Sequence, residues 1–329
     1  MKNIKLVIKQ TLHSALGENY CLKLMYIRKL AIKRMLYKAI GEKKYLKLMY
    51  LRLFKKRPNL DKPQKFSEKL FWLKVYNGKF LKPLIQLCYD KFTVRQYLKE
   101  KGCEKYLNEL YGVYDNANEI DFNKLSNSFI LKITQSYGLN MVIKNKNSAD
   151  FALIKKTLNL WLNLINKEKA QHSPDEGYVF NDDAKIICEK LLYDKSGNFP
   201  GDYRIFCFNG EPKLIVCDVG TTNKDGTHGN NIIRNTYDLN WNLLPVDFGR
   251  PHDKNVILSK PVKLPEMLEL SKSLSKDFVF ARIDLYNINE KIIFGEITYI
   301  PMGGDVKTTP IEYDYQFGEW LKLPNVKLF

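Results

Sequence analysis

Two carboxylates lie on neighbouring predicted strands in the segment Phe278–Thr298, FVFARIDLYNINEKIIFGEIT. Apolar and polar residues alternate on both sides of the polar turn NINEK, which predicts a hairpin with Asp284 on one strand and Glu296 on the other. Arg282 stands beside the first acid and Thr298 beside the second. Such acids suit Mg²⁺, which binds a few carboxylates together with substrate phosphates. A solvated hairpin whose acids merely face water is the alternative interpretation.

Several cations and a further acid lie on or between other predicted strands. Lys132 interrupts the apolar strand FILKI, where a nucleotide phosphate would be a good partner; the alternative is an edge-strand lysine that faces solvent. Lys144 ends the strand predicted to pair with it, and Gly138 lies in the connecting loop, where a flexible backbone can fold over phosphates. Glu189, in the run IICEKLL, can accept hydrogen bonds from ribose hydroxyls, while Arg204 in DYRIFCF suits bidentate phosphate contact.

Several common nucleotide-binding and nucleophile motifs are missing from the sequence. It has no GxxxxGK[ST] loop, no GxGxxG after a strand and no GxSxG, which argues against a Walker loop, a Rossmann site and a nucleophile elbow. The DxD pair that many nucleotide-sugar transferases use is also missing. The scattered strand-borne charges therefore remain as the candidate site.

Positive charge is concentrated at the start of the 329-residue chain, whose formal net charge is +17. Residues 1–65 hold 18 Lys and Arg against three acids, whereas the remainder holds 35 against 33. The chain is 45% hydrophobic, enough for a proper core, but no apolar run is long enough for a membrane-spanning helix. The six cysteines show no paired spacing, and the N-terminus shows no clear cleavage site, so we expect a reduced, cytoplasmic protein.

The basic N-terminal arm contains a repeat. Leu16–Leu30 (LGENYCLKLMYIRKL) recurs as Ile40–Phe54 (IGEKKYLKLMYLRLF), 24 residues later. The pattern predicts two or three basic amphipathic helices before Pro58. These helices either pack on the body, dock on an anionic membrane surface or bind nucleic acid, and the last option lacks a base-reading motif. Packing would use seven apolar residues: Leu22, Leu24, Met25, Ile27, Leu46, Met49 and Leu51.

Helices dominate the predicted first part of the chain, and antiparallel strands dominate the second. Helices are predicted within Asp61–Tyr76, Asp90–Lys101, Asn147–Asn166 and Pro265–Ser275. Besides the acid-bearing hairpin, strands are predicted within Phe129–Ile133, Met141–Lys144, Asp183–Tyr193, Asp202–Phe208, Lys213–Val219, Asn231–Tyr237 and Leu243–Val246. This order indicates the α+β class.

The body of the chain resembles the ATP-grasp superfamily, and more closely the TupA-like ATP-grasp proteins of bacterial surface-polysaccharide gene clusters. Matching segments fall within residues 61–323, and the most specific are EKLLYDKSGNFPGDYRIFCFNGEPK and FARIDLYNINEKIIFGEIT. Two positions depart from the family pattern. TQSYG stands at 134–138 in place of a THGSG-like loop, and Thr298 stands where the superfamily commonly has Asn.

The resemblance implies an ATP-grasp fold over residues 58–329, preceded by the basic helical arm 1–57. Two α+β subdomains, about 125–195 and about 196–323, would clasp ATP. Nucleotide contacts are implied for Lys132, Lys144, Gly138, Glu189, Lys190 and Leu192. Catalytic roles are implied for Arg204 and Arg282, and Mg²⁺ binding for Asp284, Glu296 and Thr298.

The resemblance further implies a carboxylate–amine ligase that consumes ATP and forms an acyl phosphate. The substrates would be a carboxylate-bearing sugar or glycan precursor of capsule or lipopolysaccharide, and a small amine or amino acid. Two alternatives stay open: a glycosyltransferase of the same pathway, and a non-catalytic nucleotide-binding relative at the membrane. We expect a cytoplasmic location, with the arm able to reach the inner face of the cytoplasmic membrane. His228, in the polar loop 221–231, is expected near the acceptor.

Overall fold

The computed structural model describes residues 33–168, 177–180, 183–193, 200–220, 232–256 and 258–328. Residues 33–40 are helical. The later helices are α1 (Glu42–Phe54), α2 (Phe66–Phe80), α3 (Lys82–Tyr89), α4 (Val94–Glu100), α5 (Phe151–Glu168), α6 (Leu264–Ser275) and α7 (Glu312–Trp320). The strands are β1 (Leu110–Tyr114), β2 (Phe129–Ile133), β3 (Asn140–Ile143), β4 (Ile186–Lys190), β5 (Asp202–Phe208), β6 (Glu211–Val219), β7 (Ile233–Tyr237), β8 (Leu243–Leu244), β9 (Asp247–Phe248), β10 (Phe280–Ile288), β11 (Lys291–Thr298) and β12 (Thr308–Thr309). Helices and antiparallel sheets together confirm the predicted α+β class.

The chain forms two compact units that interleave along the sequence. Unit 1 consists of Met1–Tyr45, Asp90–Phe92 and Glu109–Leu191. Unit 2 consists of Leu46–Tyr89, Thr93–Asn108 and Leu192–Phe329. The boundaries that we place at residue 57 and near residue 195 remain predictions.

Unit 1 is built on a four-stranded antiparallel sheet in the order β1-β4-β2-β3. Strand geometry sends alternate side chains to opposite faces, so Phe129, Leu131 and Ile133 enter a core that includes residues of α5. The intervening residues Ile130 and Lys132 face the other way and are only half-buried. One face of the sheet is therefore the core, and the opposite face carries the candidate nucleotide-binding residue Lys132.

Unit 2 is built on a six-stranded antiparallel sheet in the order β11-β10-β5-β6-β7-β8. Strand register places Asp284 opposite both Arg204 and Glu296, so three predicted site residues share one level of the sheet. The same face of the sheet also carries an aromatic core. Helix α6 lies on the other face, where the Cys207 thiol is 3.8 Å from the Ser271 carbonyl oxygen. Rings that contact one another in the aromatic core are Phe66, Phe206, Phe208, Phe248, Phe280 and Phe317.

Helix α1 is the second copy of the basic repeat. Leu46 and Tyr50 are buried, and the Tyr50 hydroxyl lies 2.9 Å from the Ser67 hydroxyl of α2. Leu48 and Leu51 lie on the opposite side of the helix and are exposed to 39% and 38%. The prediction that Leu51 packs inward is therefore wrong, because the buried face of the helix is centred on Leu46 and Tyr50. The first copy of the repeat, with Leu22, Leu24, Met25 and Ile27, lies outside the described residues.

No helix in the described part of the chain is long and apolar enough to cross a lipid bilayer. Five of the cysteines fall in that part, and all five are buried free thiols: Cys88, Cys103, Cys188, Cys207 and Cys217.

Candidate active site

The unit 1 sheet carries a buried ion pair. Lys132 Nζ lies 2.7 Å from Glu189 Oε2, and the two side chains are 22% and 9% exposed. Glu189 is directly opposite Ile130 and Lys132 opposite Ile187, so the pair spans adjacent strands on one face. Because β2 is flanked by β3 and β4, Lys132 is not an edge-strand lysine. A lysine and a carboxylate that share the non-core face of a sheet can meet the phosphates and the ribose hydroxyls of a nucleotide.

The loop after β2 is anchored by a residue that sequence reasoning missed. The Lys91 ammonium donates to the carbonyl oxygens of Ser136 and Thr134, the latter at 3.4 Å. Tyr137 is exposed at the end of the loop, and Gly138 has a positive φ of 73° with open space around its Cα. The loop therefore has a fixed base and an open tip that is free to contact a ligand. Lys91 lies within Asp90–Lys101, for which the sequence predicted a helix and no site residue.

Three other residues predicted to bind the nucleotide have different surroundings. Lys144 follows β3 and is exposed, and the register of β3 places it on the same face as Lys132. Lys190 points away from that face: its ammonium lies 3.2 Å from Glu109, and its backbone N–H donates to the Glu109 carbonyl at 3.0 Å. Leu192 is half-buried in the coil that follows. Only Lys144 thus joins the face that carries Lys132 and Glu189.

The β10–β11 hairpin of unit 2 forms as the alternation predicts. Asp284 pairs with Glu296 across the strands, and Arg282 pairs with Thr298. The Arg282 guanidinium donates to both oxygens of Asp284, at 2.7 and 2.5 Å, and to Glu296 Oε1 at 3.1 Å. The Thr298 hydroxyl also donates to Glu296 Oε1, at 3.1 Å. The four predicted residues of this hairpin form one connected polar cluster.

The carboxyl group of Asp284 is electrostatically unusual. Burial raises its pKa to about 6; Arg282 opposes this effect, and the negative charge of Glu296 adds to it. Burial lowers the pKa of Arg282, but the neighbouring Asp284 carboxylate outweighs that effect and the pKa is raised. Burial and the neighbouring Glu296 carboxylate therefore disfavour the charged form of Asp284, and a bound cation would offset this effect.

These residues fit a magnesium ion that also binds phosphate. Two carboxylates and a hydroxyl are hard oxygen donors, and Mg²⁺ is usually held by one or two carboxylates plus substrate phosphates. Among the described residues, no group of three or more His, Cys, Asp and Glu side chains is arranged to hold a metal. Asp284 and Glu296 would therefore act as a pair and depend on the nucleotide for further ligands.

Asp284 also makes a pH dependence testable. Because its pKa is raised to about 6 in the folded protein and lies near 3.9 when unfolded, the native state binds the extra proton. Between these pH values stability falls as pH rises, by about 3 kcal/mol from this group. We expect Asp284→Asn to gain stability relative to wild type from pH 4 to pH 7 in urea unfolding with a chelator present. An unchanged difference between the two proteins across that range would contradict the raised pKa.

Arg204 connects this hairpin to a second cluster. Its guanidinium donates to Asp218 and to Asp202 at 3.0 Å, and its Nε lies 3.7 Å from Asp284 Oδ2. Burial lowers its pKa, but the three carboxylates more than offset this effect and the pKa is raised. In the described part of the chain its buried Nε–H has no hydrogen-bond acceptor. Arg204 thus keeps one donor beside the candidate metal carboxylates, where an oxygen atom of a ligand would satisfy it.

A comparison with known protein families identifies the family of the chain. Residues 68–322 match the model of the TupA-like ATP-grasp family. The chain belongs to the TupA-like ATP-grasp family. The matched range contains every predicted site residue and excludes the basic arm. None of the curated proteins matches the chain in sequence.

Solved structures with a similar fold are ATP-grasp enzymes. D-alanine–D-alanine ligase from Bacillus anthracis has a TM-score of 0.41 and 13% identity, over 65% of this chain and 58% of its own. L-amino acid ligase from Bacillus licheniformis has a TM-score of 0.40 and 12% identity, over 66% and 44%. The biotin carboxylase domain of 2-oxoglutarate carboxylase from Hydrogenobacter thermophilus, in complex with MgADP, has a TM-score of 0.39 and 12% identity, over 66% and 41%. The chain thus spans less than two thirds of each of these structures.

Nucleotide and magnesium are typical of the ATP-grasp fold, and another structure of the Bacillus anthracis ligase is a complex with ATP. The family match establishes the predicted fold for this chain. The similarity to individual enzymes in sequence and structure does not assign an activity or a substrate to this chain.

Proposed function

We propose that this protein is an ATP- and Mg²⁺-dependent ligase that joins a carboxylate to an amine. The observation that carries the proposal is the β10–β11 hairpin, where two candidate metal ligands, Asp284 and Glu296, lie with the cation Arg282 on one face of the sheet. Family membership supports ATP as the energy source. The absence of a DxD motif from the sequence disfavours the glycosyltransferase alternative.

Each cluster would have a distinct task in this reaction. Lys132 and Lys144 would contact phosphate oxygens, and Glu189 would accept hydrogen bonds from the ribose. Asp284 and Glu296 would hold Mg²⁺, with Thr298 beside them, and the ion would neutralise charge on the phosphates. These assignments give a role to charged side chains that lie on the two sheets outside the hydrophobic cores.

Arg204 and Arg282 would act on the group that is transferred. A carboxylate oxygen of the substrate attacks the γ-phosphorus of ATP, and ADP leaves. The amine then attacks the acyl carbon and loses a proton to solvent, and inorganic phosphate leaves. The first step places negative charge on phosphoryl oxygens, and the second places it on the acyl oxygen and the departing phosphate; fixed guanidinium donors stabilise such charge. The guanidinium groups of Arg204 and Arg282, which lie on adjacent strands, would supply these donors.

Calorimetry followed by a product assay tests the proposal. Full-length protein should bind ATP in the presence of Mg²⁺ and lose most of that affinity in EDTA. ADP release should then be screened against pairs of a uronic acid and an amino acid, which represent the substrate class that the family resemblance suggests. A protein that neither binds ATP nor forms ADP with any pair would refute the ligase function.

A nucleotide-binding protein without turnover is the second candidate. One observation favours it: Arg282 already contacts both candidate metal carboxylates, at 2.5 to 3.1 Å, and Mg²⁺ would have to compete with it. The same two measurements separate the candidates. Tight ATP binding with no ADP from any pair would favour the binding protein, whereas ADP that appears only with both substrates would favour the ligase.

The exposed side of α1 supports docking on an anionic membrane surface. Lys44, Leu48, Leu51, Arg52 and Lys55 are all exposed, and their spacing places them on one helix face. Cations attract anionic headgroups while leucines enter the interface, as in other peripheral helices. In the printed sequence the first repeat carries Leu24, Ile27 and Arg28 at the equivalent positions of Leu48, Leu51 and Arg52.

Charge removal from this helix face should weaken membrane binding. Lys44→Gln/Arg52→Gln/Lys55→Gln is expected to lower partitioning onto vesicles that contain phosphatidylglycerol by up to about 100-fold, since each basic residue contributes about 1 kcal/mol. Co-sedimentation measures the effect, and vesicles of phosphatidylcholine alone should bind neither protein. A control with Lys213→Gln/Lys254→Gln/Lys307→Gln changes net charge equally at exposed positions outside the arm. Equal binding of the two triple variants would rule out this docking face.

A further inference from the structure

A buried carboxylate in unit 2 forms ion pairs with three arginines. No sequence motif predicted that these residues would lie together. Asp218 is the second-last residue of β6, and its side chain is fully buried. It accepts hydrogen bonds from Arg204 of β5, from Arg234 of β7 and from Arg250 in the segment after β9. Burial alone would raise the pKa of Asp218, but Arg234 and Arg204 outweigh that effect and lower it. The single negative charge is therefore surrounded by three permanent positive charges.

Two of the three arginines are held in place by hydrogen bonds and ion pairs within the protein. Arg234 binds both oxygens of Asp218 at 2.6 Å and also donates to the Phe248 carbonyl at 3.2 Å. Arg204 is enclosed by Asp202, Asp218 and Asp284. Both guanidinium groups are largely buried. Their positions are fixed by the protein, and Arg250 is the member whose side chain is most exposed.

Arg250 differs from the other two because most of its donors are available. Its contact in the described part of the chain is one hydrogen bond, 3.1 Å long, from Nη1 to Asp218 Oδ2. Its side chain is 29% exposed. Because a guanidinium has five N–H donors in a planar fork, the exposed edge of Arg250 can bind an oxyanion while Nη1 stays on Asp218.

The segment that carries Arg250 is held firmly on both sides. Gly249 has a positive φ of 72°, and a Cβ at this position would lie 2.9 Å from Met302 Sδ. Its N–H donates to the Lys307 carbonyl at 2.7 Å, and Pro251 accepts from the Arg234 N–H at 3.0 Å. The half-exposed guanidinium is therefore preorganised, which lowers the entropy cost of ligand binding.

The fixed cation lies close to the candidate metal carboxylates. Ion pairs run without interruption from Arg250 to Asp218, from Asp218 to Arg204 and from Arg204 to Asp284. We propose that Arg250 is a specificity-determining residue that binds an oxyanion, either carboxylate or phosphate, of the second substrate rather than of ATP. This inference rests on the proposed ligase function for its biological meaning, but the binding step can be measured independently.

Titration of small oxyanions into full-length protein tests the inference. The probes are sodium glucuronate and inorganic phosphate, each added to protein with and without Mg²⁺ and a non-hydrolysable ATP analogue. Arg250→Gln should weaken binding of the preferred probe at least about tenfold, as expected for a lost charge-assisted hydrogen bond. Arg250→Lys should be intermediate because it keeps the charge and loses the fork. Lys254→Gln, an exposed charge in the same segment, should bind as wild type does.

The outcomes separate this inference from the ligase proposal. Preference for glucuronate would assign a carboxylate, and preference for phosphate would assign a phosphoryl group; both support the site. Oxyanion binding that depends on Arg250 without any binding of the ATP analogue would keep the site and refute the ligase. Unchanged binding by Arg250→Gln, no binding of either probe to wild type at about 10 mM, or loss of analogue binding in Arg250→Gln would overturn the inference. Matching urea midpoints would show that the variants are folded.

Discussion

Asp284→Asn is expected to lower ATP turnover in the presence of Mg²⁺ about a thousandfold. A bound metal contributes several kcal/mol of charge stabilisation, and the substitution removes one of two candidate carboxylate ligands. It also leaves Arg282 with Glu296 as its remaining acidic partner in the hairpin. Calorimetry with ATP and Mg²⁺, together with ADP release once a substrate pair is found, measures the loss.

The structure also explains why this variant should stay folded. The pKa of Asp284 is raised to about 6 mainly by burial. Asparagine has nearly the same shape and no charge, so the substitution removes a buried charge that is energetically unfavourable. Glu211→Gln is the matched control, because Glu211 lies at the distant end of the same sheet and pairs with exposed Lys272 at 2.9 Å. Wild-type affinity for ATP and Mg²⁺ in Asp284→Asn would remove this residue from the metal site.

Lys132→Met is expected to weaken ATP binding by about 30- to 100-fold. The change removes a cation assigned to the phosphates, and a charge-assisted hydrogen bond of this kind contributes about 1.5 to 3 kcal/mol. It also leaves Glu189, only 9% exposed, without the partner that lies 2.7 Å away. An isolated buried carboxylate is costly, so some loss of stability should accompany the loss of affinity.

A double substitution separates these two effects. Lys132→Met/Glu189→Gln replaces the ion pair with neutral groups of similar size, so thermal stability should recover while ATP affinity stays low. Lys124→Met is the control, since it removes an exposed lysine that forms an ion pair in the same unit, 3.6 Å from Asp121. If the double variant regains ATP affinity along with stability, Lys132 has a structural role only.

Local patterns were sufficient to predict the elements that carry most of the candidate site. The apolar run Phe129–Ile133 and the alternation within Phe278–Thr298 each predicted a strand pairing that the structure contains. In the second segment the alternation arises because a buried sheet face imposes a period of two. The predicted strand Asp183–Tyr193 is shorter in the structure, at Ile186–Lys190, since only those residues pair with neighbours. The elements were therefore easier to predict than their ends.

Long-range contacts could not be predicted in the same way. Lys91 meets Ser136 across 45 residues, and Arg250 meets Asp218 across 32, so no local spacing marks these pairs. Helix α7 was missed because Gly318 interrupts its helical pattern. In the structure this glycine is required by packing, since a Cβ there would lie 2.0 Å from the Gln64 carbonyl oxygen.

The proposed role of His228 lies outside the described residues, as does the rest of the segment 221–231. The membrane docking proposed for the arm would use the exposed face of α1, because Tyr50 and Leu46 lie on the side that packs inward.

The continuous row of ion pairs from Arg250 to Asp284 has a thermodynamic consequence. An oxyanion bound to Arg250 changes the electrostatic potential at Asp218 and Arg204. It therefore changes the affinity of the Asp284 end of the row for Mg²⁺ with nucleotide. Such linkage is reciprocal: if Mg²⁺ with nucleotide strengthens oxyanion binding by some factor, the oxyanion must strengthen nucleotide binding by the same factor. In the absence of turnover, the two substrates would then bind cooperatively, and each would bind more tightly when the other is present.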